Sequence, residues 1–173
     1  MGLLKPEWTA DEILGELTAL RESQRSVILA TLGAGAYPEA SYAPYVCDEW
    51  NNFYIFVSRL ARHTESLEAD RKASLLFIEP EHLTRQIFAR RRLTYRCDVQ
   101  PIGCGTAQWR AQLSALQRRF GTIVESLSRL PDFRLFRLVP FEGRFVRGFG
   151  QAFQWTRDQH HDRWRHIGPD NRQ

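Results

Sequence analysis

Cysteine is scarce in this chain of 173 residues, which contains only Cys47, Cys97 and Cys104. The three are widely separated, with no Cys-x-x-Cys pair and no Cys/His spacing typical of a zinc site. This pattern argues against a structural metal centre or a disulfide framework. Free thiols in a reducing compartment account for it best, so we expect a cytoplasmic protein.

Long apolar runs are also missing. No stretch approaches the roughly 18 apolar residues of a membrane-spanning helix, and residues 1–6 lack the apolar core of a secretory signal. Pro6 stands where N-myristoylation needs Ser or Thr. Hydrophobic residues make up 43% of the chain and charged residues 25%, as in ordinary globular proteins. We therefore expect one domain over residues 1–173, without a membrane partner.

The formal net charge is modest, at +4, but the arginines cluster. Arg85, Arg90, Arg91 and Arg92 crowd one predicted loop. No helix-turn-helix, zinc-finger or RNP pattern accompanies them, so we do not expect a nucleic-acid partner. A small anionic ligand explains a local cluster of this kind. Arginine suits carboxylate or phosphate because its planar fork donates two parallel hydrogen bonds, but sequence order does not say which arginine makes the contact.

Periodicity and turn signals predict few helices and many strands. A first amphipathic helix is expected within residues 8–24, begun by a capping box of Thr9 and Glu12. A second capping box is expected at Thr122 and Glu125. The remaining elements are expected as strands at about 26–32, 39–47, 53–57, 73–78 and 93–102, and helices at about 60–69 and 106–120.

The last third of the chain is expected to hold two closing strands on either side of Pro140-Phe-Glu-Gly143. Phe141, Phe145, Phe149 and Phe153 recur every four residues, which in a strand would place all four on one face, in the core or at a dimer seam. Residues 161–173 are polar and are expected to form a mobile tail. The whole pattern predicts a mainly β fold, an antiparallel barrel with peripheral helices.

One segment has the composition of an anion site. Between two apolar runs lies SRLARHT, which contains Ser58, Arg62, His63 and Thr64. Hydroxyl groups, free helix N–H groups and arginine together suit a phosphate or carboxylate. The alternative interpretation is a solvated helix start that only connects two strands.

Four motifs in order resemble one known family: SRLARHT at 58–64, RLT at 92–94, LPDF at 130–133 followed by Phe136, and GRFVRGFG at 143–150. The chain resembles the FMN-binding split-barrel proteins related to pyridoxamine 5′-phosphate oxidase, and most closely their haem-utilisation branch, the HugZ/HutZ-type proteins. The resemblance implies a six-stranded Greek-key split β-barrel that forms a homodimer, with ligand sites at the subunit interface.

The resemblance also implies roles for particular residues. Ser58, Arg62, His63 and Thr64 match the region that holds the FMN phosphate in flavin-binding relatives, and Arg92 matches an arginine near a haem propionate. His63 and Asp132 match a pair that is hydrogen-bonded across the interface. A tail histidine would be the axial ligand of the haem iron. His166 is the nearest candidate, with His160 and His161 before it, since this chain lacks the glycine- and histidine-rich tail common in that branch.

Three functions are consistent with these observations. The first is a haem-binding protein of haem utilisation that degrades haem b oxidatively with electrons from an unidentified donor. The second is an FMN-dependent oxidoreductase on the same barrel. The third is a haem carrier or storage dimer without catalysis.

Overall fold

The computed structural model describes residues 8–157 and 163–167. Within them, the helices are α1 (Ala10–Glu22), α2 (Arg62–Asp70), α3 (Ala107–Phe120) and α4 (Ile123–Ser128). The strands are β1 (Ser26–Leu32), β2 (Pro38–Cys47), β3 (Phe53–Ser58), β4 (Lys72–Ile78), β5 (Arg92–Ile102), β6 (Phe133–Gly148), β7 (Gln151–Thr156) and β8 (Arg163–Ile167). None of the helices in these two ranges is both long and apolar enough to cross a membrane.

Six of the strands close into a barrel. The antiparallel order β3-β2-β1-β4-β5-β6-β7-β8 is completed by a second pairing of β3 with β6. The order around the barrel is therefore β1-β2-β3-β6-β5-β4, in which β3 to β6 form a Greek key. This confirms the predicted six-stranded antiparallel split barrel. Strands β7 and β8 continue the sheet beyond the barrel.

Aromatic rings fill the barrel interior. Tyr45, Phe53 and Phe77 are almost fully buried, and their ring centroids lie 5.3–5.7 Å apart. Helix α1 adds Ile13, Leu17 and Leu20 to the same core, which explains its amphipathic spacing. Its capping box is present as predicted, since Thr9 and Glu12 cap each other's backbone N–H groups. At Thr122, by contrast, the side chain makes no capping hydrogen bond, so that prediction is wrong.

A second apolar layer covers the outside of β3. All residues from Phe53 to Val57 are buried, because one face of the strand lines the barrel and the other lies beneath α3 and α4. Tyr54 and Phe56 pack there against Trp109, Leu116 and Val124. A strand buried on both faces is expected to be a continuous apolar run rather than an alternating one. Helices α3 and α4 therefore cover the barrel wall on the side of β3.

The closing segment differs from its prediction. Pro140-Phe-Glu-Gly143 is not a turn but the interior of the single long strand β6. A β-bulge lies here, since Cys97 pairs with Pro140 and Arg96 with Glu142. Phe141 is the extra residue, and such irregularities are where a proline without an N–H is tolerated. Gly143 is required for packing, because a Cβ atom there would lie 2.8 Å from Cε1 of Tyr95.

The bulge also changes which phenylalanines are buried. Phe145 and Phe153 are fully buried, whereas Phe141 is 41% exposed and Phe149 is 69% exposed. The prediction that all four share one face is therefore wrong. An extra residue in a strand reverses the side on which the preceding side chains lie, and Phe149 belongs to the turn between β6 and β7.

The predicted tail is partly ordered. Arg163–Ile167 form β8, which pairs with β7 from Ala152 to Thr156. Alternating apolar residues explain this strand: Trp164 packs against Trp155 with ring centroids 6.3 Å apart. The two remaining histidines of the tail, His160 and His161, lie outside the described residues.

Candidate functional site

Ser58 and Asp132 form a polar cluster where β3 ends and β6 begins. Pairing of Ser58 with Phe133 brings Asp132 beside the serine, and the Ser58 hydroxyl donates a short hydrogen bond to Oδ2 of Asp132. The same hydroxyl accepts the N–H of Leu60 at 3.0 Å. The N–H of Arg59 donates to the Asp132 carbonyl at 2.9 Å. These bonds fix the turn that leads into α2.

Thr64 is part of this cluster and makes an internal contact. Its side chain is fully buried, and its hydroxyl donates to the Ser58 carbonyl at 2.6 Å. The hydroxyl therefore secures the start of α2 internally. This internal hydrogen bond gives little support to Thr64 as the holder of a phosphate, which stays a prediction. We call Ser58, His63, Thr64 and Asp132 together the Ser58 cluster.

His63 has an unsatisfied nitrogen. Its Nε2 is buried and has no hydrogen-bond partner among the described residues. Burial lowers the pKa of the imidazole below its ordinary value, and the nearby Glu39 carboxylate opposes only part of that effect. Asp132, the predicted partner, is bonded to Ser58 in the same subunit. Buried polar atoms normally have a partner, so this nitrogen is a candidate for a contact from outside the subunit.

Arg62 is exposed at the first turn of α2. It lines a cleft of about 490 Å³ together with Glu39, Glu65 and Asp70. Three carboxylates against one guanidinium make the cleft acidic, which is unfavourable for a phosphate group. The cleft therefore gives little support to Arg62 as the holder of a flavin phosphate.

The structure distinguishes the three consecutive arginines. Arg90 donates to the Glu79 carbonyl and to the Glu81 carboxylate. Arg91 donates twice to Oε1 of Glu79. Arg92 contacts only a backbone carbonyl, that of Arg90, at 3.0 Å. Of the three, Arg92 alone has no carboxylate partner within the described residues, so it is the best candidate for binding a ligand anion.

Arg92 and the Ser58 cluster lie at opposite ends of the barrel wall. Arg92 pairs with Val146 of β6, whereas Ser58 pairs with Phe133. These partners are thirteen positions apart on β6, which corresponds to roughly 40 Å of extended strand at about 3.3 Å per residue. One subunit therefore does not bring the predicted ligand-binding residues together.

His166 lies near the Arg92 end of the sheet, but on the other face. Successive pairings align Arg92, Val146, Ala152 and Ile167 in one row. His166 precedes Ile167 and pairs with Phe153, so its side chain is on the opposite face. Its ring centroid is 5.4 Å from that of Phe153 and 6.1 Å from that of Trp8. Its Nε2 lies 2.8 Å from the Gly150 carbonyl.

The family model described as pyridoxamine 5′-phosphate oxidase matches residues 13–147 of this chain. The heme oxygenase HutZ of Vibrio cholerae is 36% identical over 155 residues, which cover 90% of this chain and 88% of HutZ. This chain belongs to the HutZ-type branch of the pyridoxamine 5′-phosphate oxidase family. The motifs that indicated the resemblance span most of the matched range.

Solved structures of HutZ-type proteins have the same fold as this chain. One is the crystal structure of HutZ described as the heme storage protein from Vibrio cholerae, with 35% identity and a TM-score of 0.69; the match covers 73% of this chain and 88% of that one. Another is Campylobacter jejuni ChuZ, with 28% identity and a TM-score of 0.81, covering 95% of this chain and 65% of that one.

Sequence reasoning on this HutZ-type chain missed two acidic residues. Glu79 is the carboxylate partner of Arg91, and Glu39 faces His63. A signal for Glu79 was present, because a carboxylate directly after a buried strand and shortly before three arginines needs a cation nearby. For Glu39 there was no signal, since only the packing of α2 against β1 and β2 brings it close to His63.

We predict that Ser58→Ala destabilises the fold measurably. The substitution removes the hydroxyl that donates to Asp132 and accepts from Leu60, so the free energy of unfolding is expected to fall by about 1–3 kcal/mol. Urea titration measures it. Ser128 provides the control, because among the described residues its hydroxyl donates only to the Glu125 carbonyl on an exposed helix turn. Ser128→Ala is expected to change stability by less than about 0.5 kcal/mol. Equal effects of the two substitutions would contradict the role of the Ser58 cluster.

Proposed function

We propose that two copies of this chain bind haem between them and act in haem utilisation in the cytoplasm. One observation carries the proposal: the basic contact at Arg92 and the Ser58 cluster, with its unpartnered His63 nitrogen, lie at opposite ends of β6. A site divided in this way is complete only when another molecule supplies the second half. The relatives named for heme support haem as the ligand.

The uncovered side of the barrel supports association of two copies. Helices α3 and α4 cover the outside of β3 and the adjoining part of β2 at Val46, but the outward side chains Ile28 of β1 and Tyr42 of β2 lie beyond this layer. Ile28, Tyr42 and Leu76 form one apolar row there through strand pairing. Tyr42 is 68% exposed and Ile28 is 40% exposed. Leu76 is half-buried beside them. A patch of exposed apolar side chains on a sheet is typical of a surface that another chain covers.

A two-fold axis would complete the divided site. In an isologous dimer each surface contacts its counterpart reciprocally, so an end of one subunit can meet the opposite end of the other. Arg92 of one copy would then lie near the Ser58 cluster of the second. Contact between Asp132 of one copy and His63 of the other, which the family resemblance implies, would instead require the two Ser58 clusters to meet, and the pKa of His63 distinguishes the two arrangements. Two identical sites would result, each with residues from both copies.

The available residues fit haem in charge and in polarity. The Arg92 guanidinium has free donors that suit a propionate. Arg85 is exposed nearby, as are the apolar side chains of Leu83, Ile87 and Phe88, which suit the edge of a macrocycle. When bound, haem supplies the redox-active iron, and in oxidative degradation it is also the compound consumed. The chain's own residues would anchor the propionates and hold a proton at His63.

His166 remains our proposed axial ligand, with a condition that follows from its surroundings. Because Nε2 contacts the Gly150 carbonyl, ligation through that nitrogen requires this hydrogen bond to break. The half-buried ring would also have to leave Phe153 and Trp8.

FMN is the alternative ligand, favoured by the match to the oxidase family model. The residues expected to hold its phosphate give it less support than haem. The Thr64 hydroxyl is fully engaged inside the protein, and the cleft beside Arg62 is acidic.

Whether bound haem is degraded or only carried is a separate question, tested by adding ascorbate to the haem complex. Loss of its absorption with release of an open-chain tetrapyrrole would identify an oxygenase, and an unchanged spectrum a carrier.

We predict that the protein sediments at twice its subunit mass of 20.2 kDa, and that Tyr42→Asp gives a monomer. A carboxylate in the apolar row would be desolvated without a partner. Analytical ultracentrifugation measures the mass. Trp50→Asp is the control, because Trp50 is equally exposed, at 70%, but lies in the β2–β3 turn. A monomeric wild-type protein would contradict the proposal.

The same variant reports on His63. If the two Ser58 clusters meet in the dimer, Asp132 of the other copy would favour the charged imidazole and raise its pKa, whereas in the separate subunit burial lowers it. NMR titration of His63 should therefore show a lower pKa in Tyr42→Asp than in the wild type. No difference between the two would show that the pair does not form across the interface.

We predict that the protein binds hemin and that Arg92→Gln weakens binding about 10- to 100-fold, since charge-assisted hydrogen bonds contribute about 1.5–3 kcal/mol. Titrations with hemin and with FMN, followed by absorbance, measure both affinities. Arg96→Gln is the matched control: Arg96 lies on the same strand, and its side chain is 66% exposed and paired with Glu142. Binding of FMN but not hemin would favour the flavin alternative.

We predict that His166→Ala shifts or removes the Soret band of the hemin complex, because an imidazole ligand sets the ligand field of the iron. The ultraviolet–visible spectra of the two proteins at saturating hemin test this. His82→Ala, a substitution in the short 3-10 turn at Glu81–Leu83, is the control. If the His166→Ala spectrum matches that of the wild type, the axial ligand is another group.

A further inference from the structure

We propose that Glu79 is a positioning residue for the anion contact at Arg92. The inference rests on the proposed function, since it concerns how the protein holds the carboxylates of its ligand. Glu79 follows β4 directly, and Arg92 is the first residue of β5. The loop between these strands, residues 79–91, therefore begins at Glu79 and ends directly before Arg92.

Glu79 binds both arms of this loop. Its Oε1 accepts two hydrogen bonds from Arg91, and its Oε2 accepts the hydroxyl of Thr84 at 3.1 Å. Its backbone N–H donates to the Arg91 carbonyl at 2.9 Å, and its carbonyl accepts Nε of Arg90. One residue thus makes contacts through its side chain and through both backbone groups. We call Glu79, Thr84, Arg90 and Arg91 the Glu79 clamp.

The clamp reaches Arg92 through a defined contact. The only hydrogen bond given by the Arg92 side chain to a described residue is to the Arg90 carbonyl. This carbonyl belongs to the peptide bond between Arg90 and Arg91, and Glu79 accepts hydrogen bonds from the side chains of both residues. The position of the Arg92 guanidinium is therefore coupled to the geometry at Glu79. Loss of the clamp would leave the guanidinium free to adopt other orientations.

The second effect of the clamp is that Glu79 neutralises the charge of Arg91 and not that of Arg92. Glu79 is only 7% exposed, and a buried carboxylate requires a cation. Arg91 supplies that cation. Burial alone would raise the pKa of Glu79, but the hydrogen bonds and charge of Arg91 and the Thr84 hydroxyl outweigh burial and hold the pKa below its ordinary value. The Glu79 carboxylate is thus ionised at neutral pH and forms an ion pair with Arg91. Arg92 therefore has no carboxylate partner among the described residues.

The rest of the loop does not hold itself in place by packing. Leu83, Ile87 and Phe88 are 53–84% exposed, so the loop contributes few buried apolar contacts. Its two short 3-10 turns, Glu81–Leu83 and Ile87–Ala89, are too short to be stable alone. A loop with little packing is ordered mainly by hydrogen bonds at its ends. Those hydrogen bonds are the ones that Glu79 makes.

The test compares hemin with hemin dimethyl ester, which lacks free carboxylates. In Glu79→Gln the shape is kept but the charge is lost, and we expect the dissociation constant for hemin to rise about tenfold. The affinity for the ester should change less than about twofold. Glu142→Gln is the matched control, since the Glu142 carboxylate also pairs with an arginine, Arg96, that lies outside the clamp; it should bind both ligands as the wild type does.

A double mutant tests whether Glu79 affects hemin binding by positioning Arg92, or instead by contacting hemin directly or by destabilising the fold. If Glu79 acts through Arg92, then Glu79→Gln combined with Arg92→Gln should bind hemin no more weakly than Arg92→Gln alone. Additive losses, equal losses for hemin and its ester, or no loss at all would each overturn the inference. Should Glu79→Gln fold poorly, Thr84→Val weakens the same clamp while keeping the charge, and its smaller loss should also be confined to hemin.

The failure of this inference differs from the failure of the proposed function. Wild-type protein that binds hemin while Glu79→Gln binds it equally well overturns only the role of Glu79. Wild-type protein that does not bind hemin overturns the proposed function, and the inference with it.

Discussion

The change of partner along β6 is the constraint on which the rest of the structure depends. The first part of this strand pairs with β3 and closes the barrel, and the later part pairs with β7 and extends the sheet. The bulge at Phe141 lies between the two parts. Because one strand serves both pairings, the residues at its two ends are held far apart but in a fixed relation.

Because of this separation, the candidate site consists of two groups of polar residues, one at each end of β6. One end of β6 holds the Ser58 cluster, where the Ser58 hydroxyl donates to the Asp132 carboxylate and the Thr64 hydroxyl donates to the Ser58 carbonyl. Within this cluster, His63 Nε2 is the atom without a described partner. The other end holds Arg92, whose neighbouring arginines are paired with carboxylates. Each end alone is a weak site. In the proposed dimer, the two ends would together offer a cation for a propionate and an imidazole for proton handling.

Local signals in the sequence predicted most of the elements. The capping box at Thr9, the apolar periodicity of α1 and the continuous apolar run of β3 each depend on residues a few positions apart, and each is present. The predictions were wrong where the local structure depends on contacts with residues far away in the sequence. Pro140 and Gly143 suggested a turn, but pairing with β5 places them inside a strand. The spacing of four phenylalanines suggested one face, but the bulge divides them between core and surface.

The sequence by itself determined the family, the barrel and the set of polar residues from which a site is built, because these follow from periodicity and from motifs in a fixed order. Only the tertiary structure decided which of these residues are free to act. Thr64 and Arg91 have the chemistry of ligand contacts, yet internal partners satisfy both, whereas Arg92 has no carboxylate partner among the described residues. The reason is physical: a side chain's availability depends on its burial and on partners that chain folding brings from distant positions, and neither is a property of the local sequence.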